Sequence, residues 1–363
     1  MLYVKSELFL EAWRLDFMDL KDIKSMSLAE LENDFKELLV PSYRASQACL
    51  WLKRGATTFD EMSNLPKGFR DILKSRYYIT NLKIKSIKKS IDGTVKYLFE
   101  LPDGELIESV IMNYKHGYSV CLSTQVGCKM GCSFCETGKC GCSRNLTPSE
   151  ILAQIETAQK DLSIRISNVV LMGMGEPLDN YDNVIKFLKL VTSENGLNIG
   201  MRHISLSTCG LVDKIYSLAN EKMPITLSVS LHAPNDEIRS KIMKINKKWN
   251  LEKLIKACKE YILHTGRRIS FEYAMIEDLN DTPQCASELA KLLEGMLCHV
   301  NLIPLNGKHK DEYLKKSSNN RIYKFKQILE DMGITTTIRR TLGEDIDASC
   351  GQLKNNYLKN EVV

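Results

Sequence analysis

The run Cys128-Lys-Met-Gly-Cys132-Ser-Phe-Cys135 sets three thiols in a C-x3-C-x2-C pattern. Three thiolates on one short loop suit three irons of a [4Fe–4S] cluster. They leave the fourth iron open to a small chelating molecule. Zinc is the competing occupant, although structural zinc sites usually pair short C-x2-4-C knuckles across a longer spacer. Cys140 and Cys142 add ligands nearby, so zinc or a fully protein-ligated cluster stays in play. Six of the 12 cysteines fall within residues 121–142. In a long chain with no export signal, such clustering points to metal or redox chemistry rather than to a disulfide framework. The scattered cysteines read as small buried hydrophobes.

The elements that must position this loop follow from periodicity. Residues 1–78 read as a helical accessory domain: Ser27-Leu-Ala-Glu30 is a capping box, followed by Leu31, Phe35, Leu38 and Leu39 at helical spacing. Residues 79–114 read as a small β element around the turn signal Asp92-Gly93. From about residue 115 to 345 a βα alternation takes over. Strand-like runs lie at 118–123, 168–172, 203–207, 225–231, 269–275 and 299–305, with helical segments near 149–160, 181–194, 211–221, 250–264 and 283–295. A last helix near 320–332 and a strand at 334–339 precede a tail, 346–363, that carries Cys350. Six βα repeats imply an α/β fold, a partial (β/α)6 barrel with right-handed crossovers. Its active-site residues are expected at the carboxyl ends of the strands.

Composition bounds the class. The 363 residues are 44% hydrophobic and 26% charged, the balance of a folded globular chain of about two domains. No run approaches the 18 or so apolar residues of a membrane span. The apolar start is interrupted by Lys5, Glu7, Glu11, Arg14 and Asp16, which argues against a secretory signal and predicts a cytoplasmic protein. Residues 51–100 hold 11 Lys and Arg against 5 Asp and Glu, an excess larger than the whole chain's net charge of +5. Lys83, Lys85, Lys88 and Lys89 crowd one short stretch of it. A concentrated basic face favours approach to phosphates through counterion release, although a solvated surface explains the same charges.

Several further motifs carry a resemblance. Cys121-Leu-Ser-Thr-Gln-Val-Gly-Cys128, Arg144-Asn-Leu-Thr147, Met172-Gly-Met-Gly-Glu-Pro177 and Ser207-Thr-Cys-Gly210 are four of them. Ser230-Leu-His-Ala-Pro-Asn-Asp236, Asn301-Leu-Ile-Pro304 and Asp345-Ile-Asp-Ala-Ser-Cys-Gly-Gln-Leu353 complete the set. Together with the cysteine loop, this pattern resembles the RlmN/Cfr family of radical S-adenosylmethionine (SAM) enzymes, closest to its RlmN branch. Those enzymes methylate adenosine in ribosomal RNA, and the RlmN branch also acts on transfer RNA.

The resemblance implies a set of roles. A [4Fe–4S] cluster sits on Cys128, Cys132 and Cys135, and SAM is bound by Gly175, Glu176, Ser207, Ser230, Leu231, His232 and Asn306. Cys350 accepts a methyl group from a first SAM and then presents it to the adenine. Glu108 is the proton acceptor, and Cys121 forms a disulfide with Cys350 to release the product. The implied partners are 23S rRNA, with transfer RNA as a second substrate, and an electron donor such as flavodoxin or ferredoxin. The chain is expected to act as a monomer away from membranes. The implied product is 2-methyladenosine, because Gly175-Glu-Pro177 and Arg339-Arg-Thr341 look like the RlmN branch. The rival is a Cfr-like C8 methyltransferase giving ribosomal antibiotic resistance. A reading of another class is a zinc-stabilised RNA-binding protein without catalysis. Glu136, directly after the last loop cysteine, and Cys140 and Cys142 depart from the family pattern. The charge of Glu136 is expected to lower a cluster's reduction potential.

Overall fold

The computed structural model describes residues 20–139, 141–305 and 314–346. Three helices, α1 (Leu28–Glu37), α2 (Tyr43–Lys53) and α3 (Lys67–Arg76), open the described chain. They are closed off by the parallel pairing of two short strands, β1 (Lys21–Asp22) and β2 (Tyr77–Tyr78). The capping box forms as expected, with Ser27 Oγ and the Glu30 carboxylate each satisfying a backbone N–H at the start of α1. Leu31, Phe35, Ala45, Leu52, Phe69 and Leu73 bury one another in a core of their own. Phe35 meets Phe69 edge-on at 5.2 Å.

Strands β3 (Lys83–Lys89), β4 (Val95–Glu100) and β5 (Leu106–Tyr114) form an antiparallel meander turning at Asp92-Gly93. The meander does not stand alone. Strand β5 pairs antiparallel with β6 (Gly117–Cys121), and β6 pairs parallel with β9 (Ile166–Leu171). The parallel series continues through β10 (Ile204–Thr208), β11 (Thr226–Ser230), β12 (Ile269–Met275), β13 (Cys298–Pro304) and β14 (Thr336–Ile338). The outcome is one ten-stranded sheet in the order β14-β13-β12-β11-β10-β9-β6-β5-β4-β3. Its edges are β14 and β3, so the barrel stays open.

Helices α4 (Pro148–Leu162), α5 (Tyr181–Thr192), α6 (Val212–Asn220), α7 (Asp236–Ile242), α8 (Leu251–Thr265), α9 (Pro283–Leu292) and α10 (Asn319–Asp331) follow the parallel strands. Helix α4 starts with the capping box of Thr147 and Glu150, with Pro148 in its first turn. Helix α7 and the hairpin of β7 (Gln125–Cys128) and β8 (Gly141–Asn145) were not anticipated. Both are short, and neither carries an apolar stripe long enough to be read as a period.

Alternation along the strands sorts the two faces of the sheet. Val120, Val169, Leu206, Val229, Phe271 and Leu302 pack under the helices in the main core. Their neighbours on the opposite face are polar or small: Ser207, Ser230, Glu272, Ala274 and Asn301. An apolar outer layer thus fixes the strands while leaving their other face for ligands. Among the described residues, no helix is long and apolar enough to cross a membrane.

Candidate functional site

A cavity of about 300 Å³ opens at the carboxyl ends of the parallel strands. Cys128, Cys132 and Cys135 line one side of it. Gly175, Glu176, Ser207, Ser230 and His232 line the rest. Eight of the residues expected from sequence therefore meet in one place.

The cysteine loop hangs between β7 and β8. Gly127, at φ +87°, is where the hairpin closes, and a Cβ there would lie 2.1 Å from the carbonyl oxygen of Gly141, so only glycine fits. Ser133 N–H donates to the Ile242 carbonyl at 3.0 Å, and Cys135 N–H to the Cys132 carbonyl at 3.1 Å, which pins the loop against α7. Phe134 packs edge-on against the His232 ring at 4.7 Å. Burial pushes the thiols of Cys128 and Cys132 up to about 12, so incoming iron has to displace their protons.

The donor set fits a cluster. Among the described residues, no three His, Cys, Asp or Glu side chains converge on a position for one ion. A cluster needs no such convergence, because each thiolate takes its own iron.

On the far wall, Gly175 adopts φ +104°, and a Cβ there would lie 2.6 Å from the Cβ of Gln125. Gln125 Oε1 accepts the Glu176 N–H at 2.8 Å. The Glu176 carboxylate accepts the N–H groups of Cys209 at 2.7 Å and Leu178 at 3.1 Å. Burial raises the pKa of this carboxyl, against those hydrogen bonds and one from Thr208. His232 sits at φ +57°, and its Nδ1 accepts the Ala274 N–H at 2.9 Å. That bond puts the imidazole proton on Nε2. Burial, aided by the charge of Arg239, holds the ring pKa down at about 3, so the imidazole is neutral. Leu231 does not line the cavity: its side chain is fully buried in the main core, its N–H donates to the Glu272 carbonyl at 3.0 Å, and its carbonyl accepts from Arg239 at 3.1 Å.

Glu108 and Cys121 do not line this cavity. The register places Cys121 opposite Val110, two residues along β5 from Glu108, so all three share one face. Ser109, one residue out of phase, points to the helix side, where its Oγ donates to Gln154 Oε1 at 2.6 Å. Cys121 packs in a cluster with Val110, Met112, Met172 and Leu342. Met172 also lines the cavity, so the two regions are contiguous. Glu108 is 2% exposed and pairs at 3.0 Å with the fully buried ammonium of Lys96. The alternation of β5, taken alone, would have given an outward charge. Asn306, Cys140 and Cys350 lie outside the described residues.

Three residues of the site escaped sequence reasoning. Glu272 enters the cavity, its carboxylate accepting from Ser270 Oγ and Asn301 Nδ2 at 2.8 Å each. A charge between Phe271 and Tyr273 in an otherwise apolar strand was the available signal, and Lys96 before Tyr97 offered the same kind. Arg239 is fully buried behind the cavity, donating to the carbonyls of Cys209 at 2.7 Å, Ser230 at 3.1 Å and Leu231 at 3.1 Å, and to Asn246 Oδ1 at 2.9 Å. It ties the ends of β10 and β11 together, and no local pattern announces it.

Comparison with known proteins places this geometry. Residues 122–293 match the radical SAM superfamily, and residues 21–79 match the ribosomal RNA large subunit methyltransferase N-terminal domain. A probable dual-specificity RNA methyltransferase RlmN from Clostridium novyi (strain NT) is 52% identical over 343 residues, covering 94% of this chain and 100% of the relative. Its counterpart from Alkaliphilus oremlandii (strain OhILAs) is also 52% identical, over 344 residues and the same shares. The crystal structure of a radical SAM methyltransferase from Sphaerobacter thermophilus superposes with a TM-score of 0.85 at 44% identity. It covers 91% of this chain and 98% of that one. With both regions matched and relatives 52% identical over 94% of its length, the chain belongs to the RlmN family of radical SAM RNA methyltransferases.

Proposed function

We propose that the protein methylates C2 of adenosine in 23S rRNA, and in transfer RNA as a second substrate, through a methylated Cys350. The observation that carries this reading is the meeting of Cys128, Cys132, Cys135, Gly175, Glu176, Ser207, Ser230 and His232 around one cavity, with Cys121 packed next to it. An adenine C2–H carbon is not nucleophilic, so polar attack on a methyl sulfonium is closed to it. A [4Fe–4S] cluster with SAM, when bound, supplies the one-electron chemistry that opens this route.

The chain's own residues supply placement and proton handling. Cys128, Cys132 and Cys135 hold the cluster. Glu176 and Gly175 receive the ammonium end of SAM, while Ser207, Ser230, Leu231, His232 and Asn306 take its sugar, adenine and methionine parts. The neutral His232 donates from Nε2 and adds no charge to the site. The Cys350 thiolate is the nucleophile that takes a methyl group from SAM. Glu108 accepts the C2 proton, and Lys96, paired with it at 3.0 Å, orients its carboxylate. Cys121 attacks the Cys350 sulfur to free the product, leaving a disulfide that an external reductant must open. A small acidic redox protein, of the flavodoxin or ferredoxin kind, is the fitting electron source, and the site of action is cytoplasmic.

The test is trapping. Cys350→Ala should abolish RNA methylation, and Cys121→Ala should accumulate a covalent RNA–protein adduct visible as a shifted band on a denaturing gel. Turnover by Cys350→Ala, or no adduct with Cys121→Ala, contradicts the reading.

A further inference from the structure

The turn between β3 and β4 reaches across the molecule and grips the chain just before its C-terminal tail. Ser90 Oγ donates to Asp345 Oδ1 at 2.5 Å, and the Ile91 N–H donates to Asp345 Oδ2 at 3.2 Å. In return, the Gly343 N–H donates to Asp92 Oδ2 at 2.8 Å. The other Asp92 oxygen accepts the Thr94 N–H at 2.9 Å, which holds that carboxylate in the turn. Two carboxylates, one from each segment, thus exchange hydrogen bonds between stretches some 250 residues apart. Both are held below the ordinary range. Asp345 is lowered by the Ser90 hydroxyl. Asp92 falls to about 2, where bonds from Gly343 and Thr94 outweigh burial. The gripped segment is flanked by apolar contacts: Leu342 packs against the Cys121 cluster, and Ile346 is buried.

Hydrogen bonds this close to water add little to stability, so placement is the better account of them. We propose that Asp345 and Asp92, with Ser90, form a clasp that fixes the root of the Cys350 tail beside Cys121 and the strand-end cavity, making them positioning residues for the methyl carrier. This rests on the reading of Cys350 as that carrier. Positions 345 and 350 are five apart, so a clasped tail carries its thiol no further than about 17 Å from its root. With the clasp open, the next backbone anchor upstream is Arg339, whose N–H donates to the Leu302 carbonyl at 2.8 Å. The tether then spans 11 positions instead of five. Effective concentration falls roughly as the −3/2 power of tether length, which gives a drop of about threefold.

The experiment measures the effective molarity of the Cys121–Cys350 pair in the full-length protein. The protein is equilibrated in glutathione buffers and read by mass spectrometry of alkylated peptides. Each disulfide formed consumes one oxidised glutathione and releases two reduced ones. The double variant Asp92→Ala/Asp345→Ala, which removes both halves of the clasp, should lower the effective molarity about threefold, at wild-type iron content and melting temperature. Ser90→Ala and Asp345→Ala should each fall less than this double variant, because each leaves the Gly343–Asp92 bond in place. Unchanged effective molarity in the double variant overturns the proposal, as does a wild-type protein in which the pair does not form. Methylation by Cys350→Ala would instead overturn the carrier reading, while the clasp is still judged by the effective molarity.

Discussion

At the scale of single residues, the site depends on groups that bind no substrate. Arg239 sends its donors to three backbone carbonyls and one amide oxygen. Arg239→Met would strand those acceptors in a dry interior and should cost about 3 kcal/mol or more, measured by urea denaturation. His232 gives a pH signature. Its pKa is about 3 in the fold, below its ordinary value of 6.5, so between these limits the unfolded chain binds the extra proton. Its contribution to stability is therefore complete above about pH 6.5 and is lost as pH falls toward 3. His232→Asn tolerates the left-handed backbone and still offers an acceptor to Ala274. It should flatten the dependence of melting temperature on pH across that window. An unchanged slope would show that other groups carry it.

At the scale of elements, much was legible and the failures have physical causes. The parallel strands and the helices after them were readable because a two-layer α/β fold writes long apolar runs into its strands. The β7–β8 hairpin was hidden because its strands hold cysteine, glycine and serine rather than β-formers. Gly175, Glu176, Ser207, Ser230 and His232 were traceable because they stand at or just past strand ends. Glu272 was not, since it lies inside one. Lys96 and Glu108 were unreadable for another reason: each pairs with a charge on the neighbouring strand, and registers are not visible in a single sequence. The basic strand β3 invites a test at this scale. It is an edge of the sheet, where lysines guard against unwanted strand pairing, and Glu100 neutralises Lys83 and Lys85 in part. If β3 also meets RNA, changing Lys83, Lys85, Lys88 and Lys89 to glutamine should reduce the slope of log affinity against log salt by about 2 to 4. An unaltered slope in filter binding would leave the lysines only their guarding role.

At the scale of the whole molecule, two cores are joined by a polar seam. Asp22 accepts from Ser25 Oγ, Thr80 Oγ1 and Ser149 Oγ at the start of α4. Lys24 pairs with Glu156 at 2.7 Å across the same boundary. This seam sets the N-terminal domain against the helix layer, while the β3–β4 turn holds the root of the tail near Cys121. The cavity and the tail root thus both border the Cys121 cluster. On the proposed reading, the orientation of the adenine beside this cluster decides which ring carbon is methylated. The direct measurement is mass spectrometry of nucleosides from 23S rRNA treated with the anaerobically reconstituted enzyme, SAM and a reductant. The account predicts 2-methyladenosine as the product, and 8-methyladenosine, or no methylated adenosine from a cluster-loaded enzyme, would contradict it.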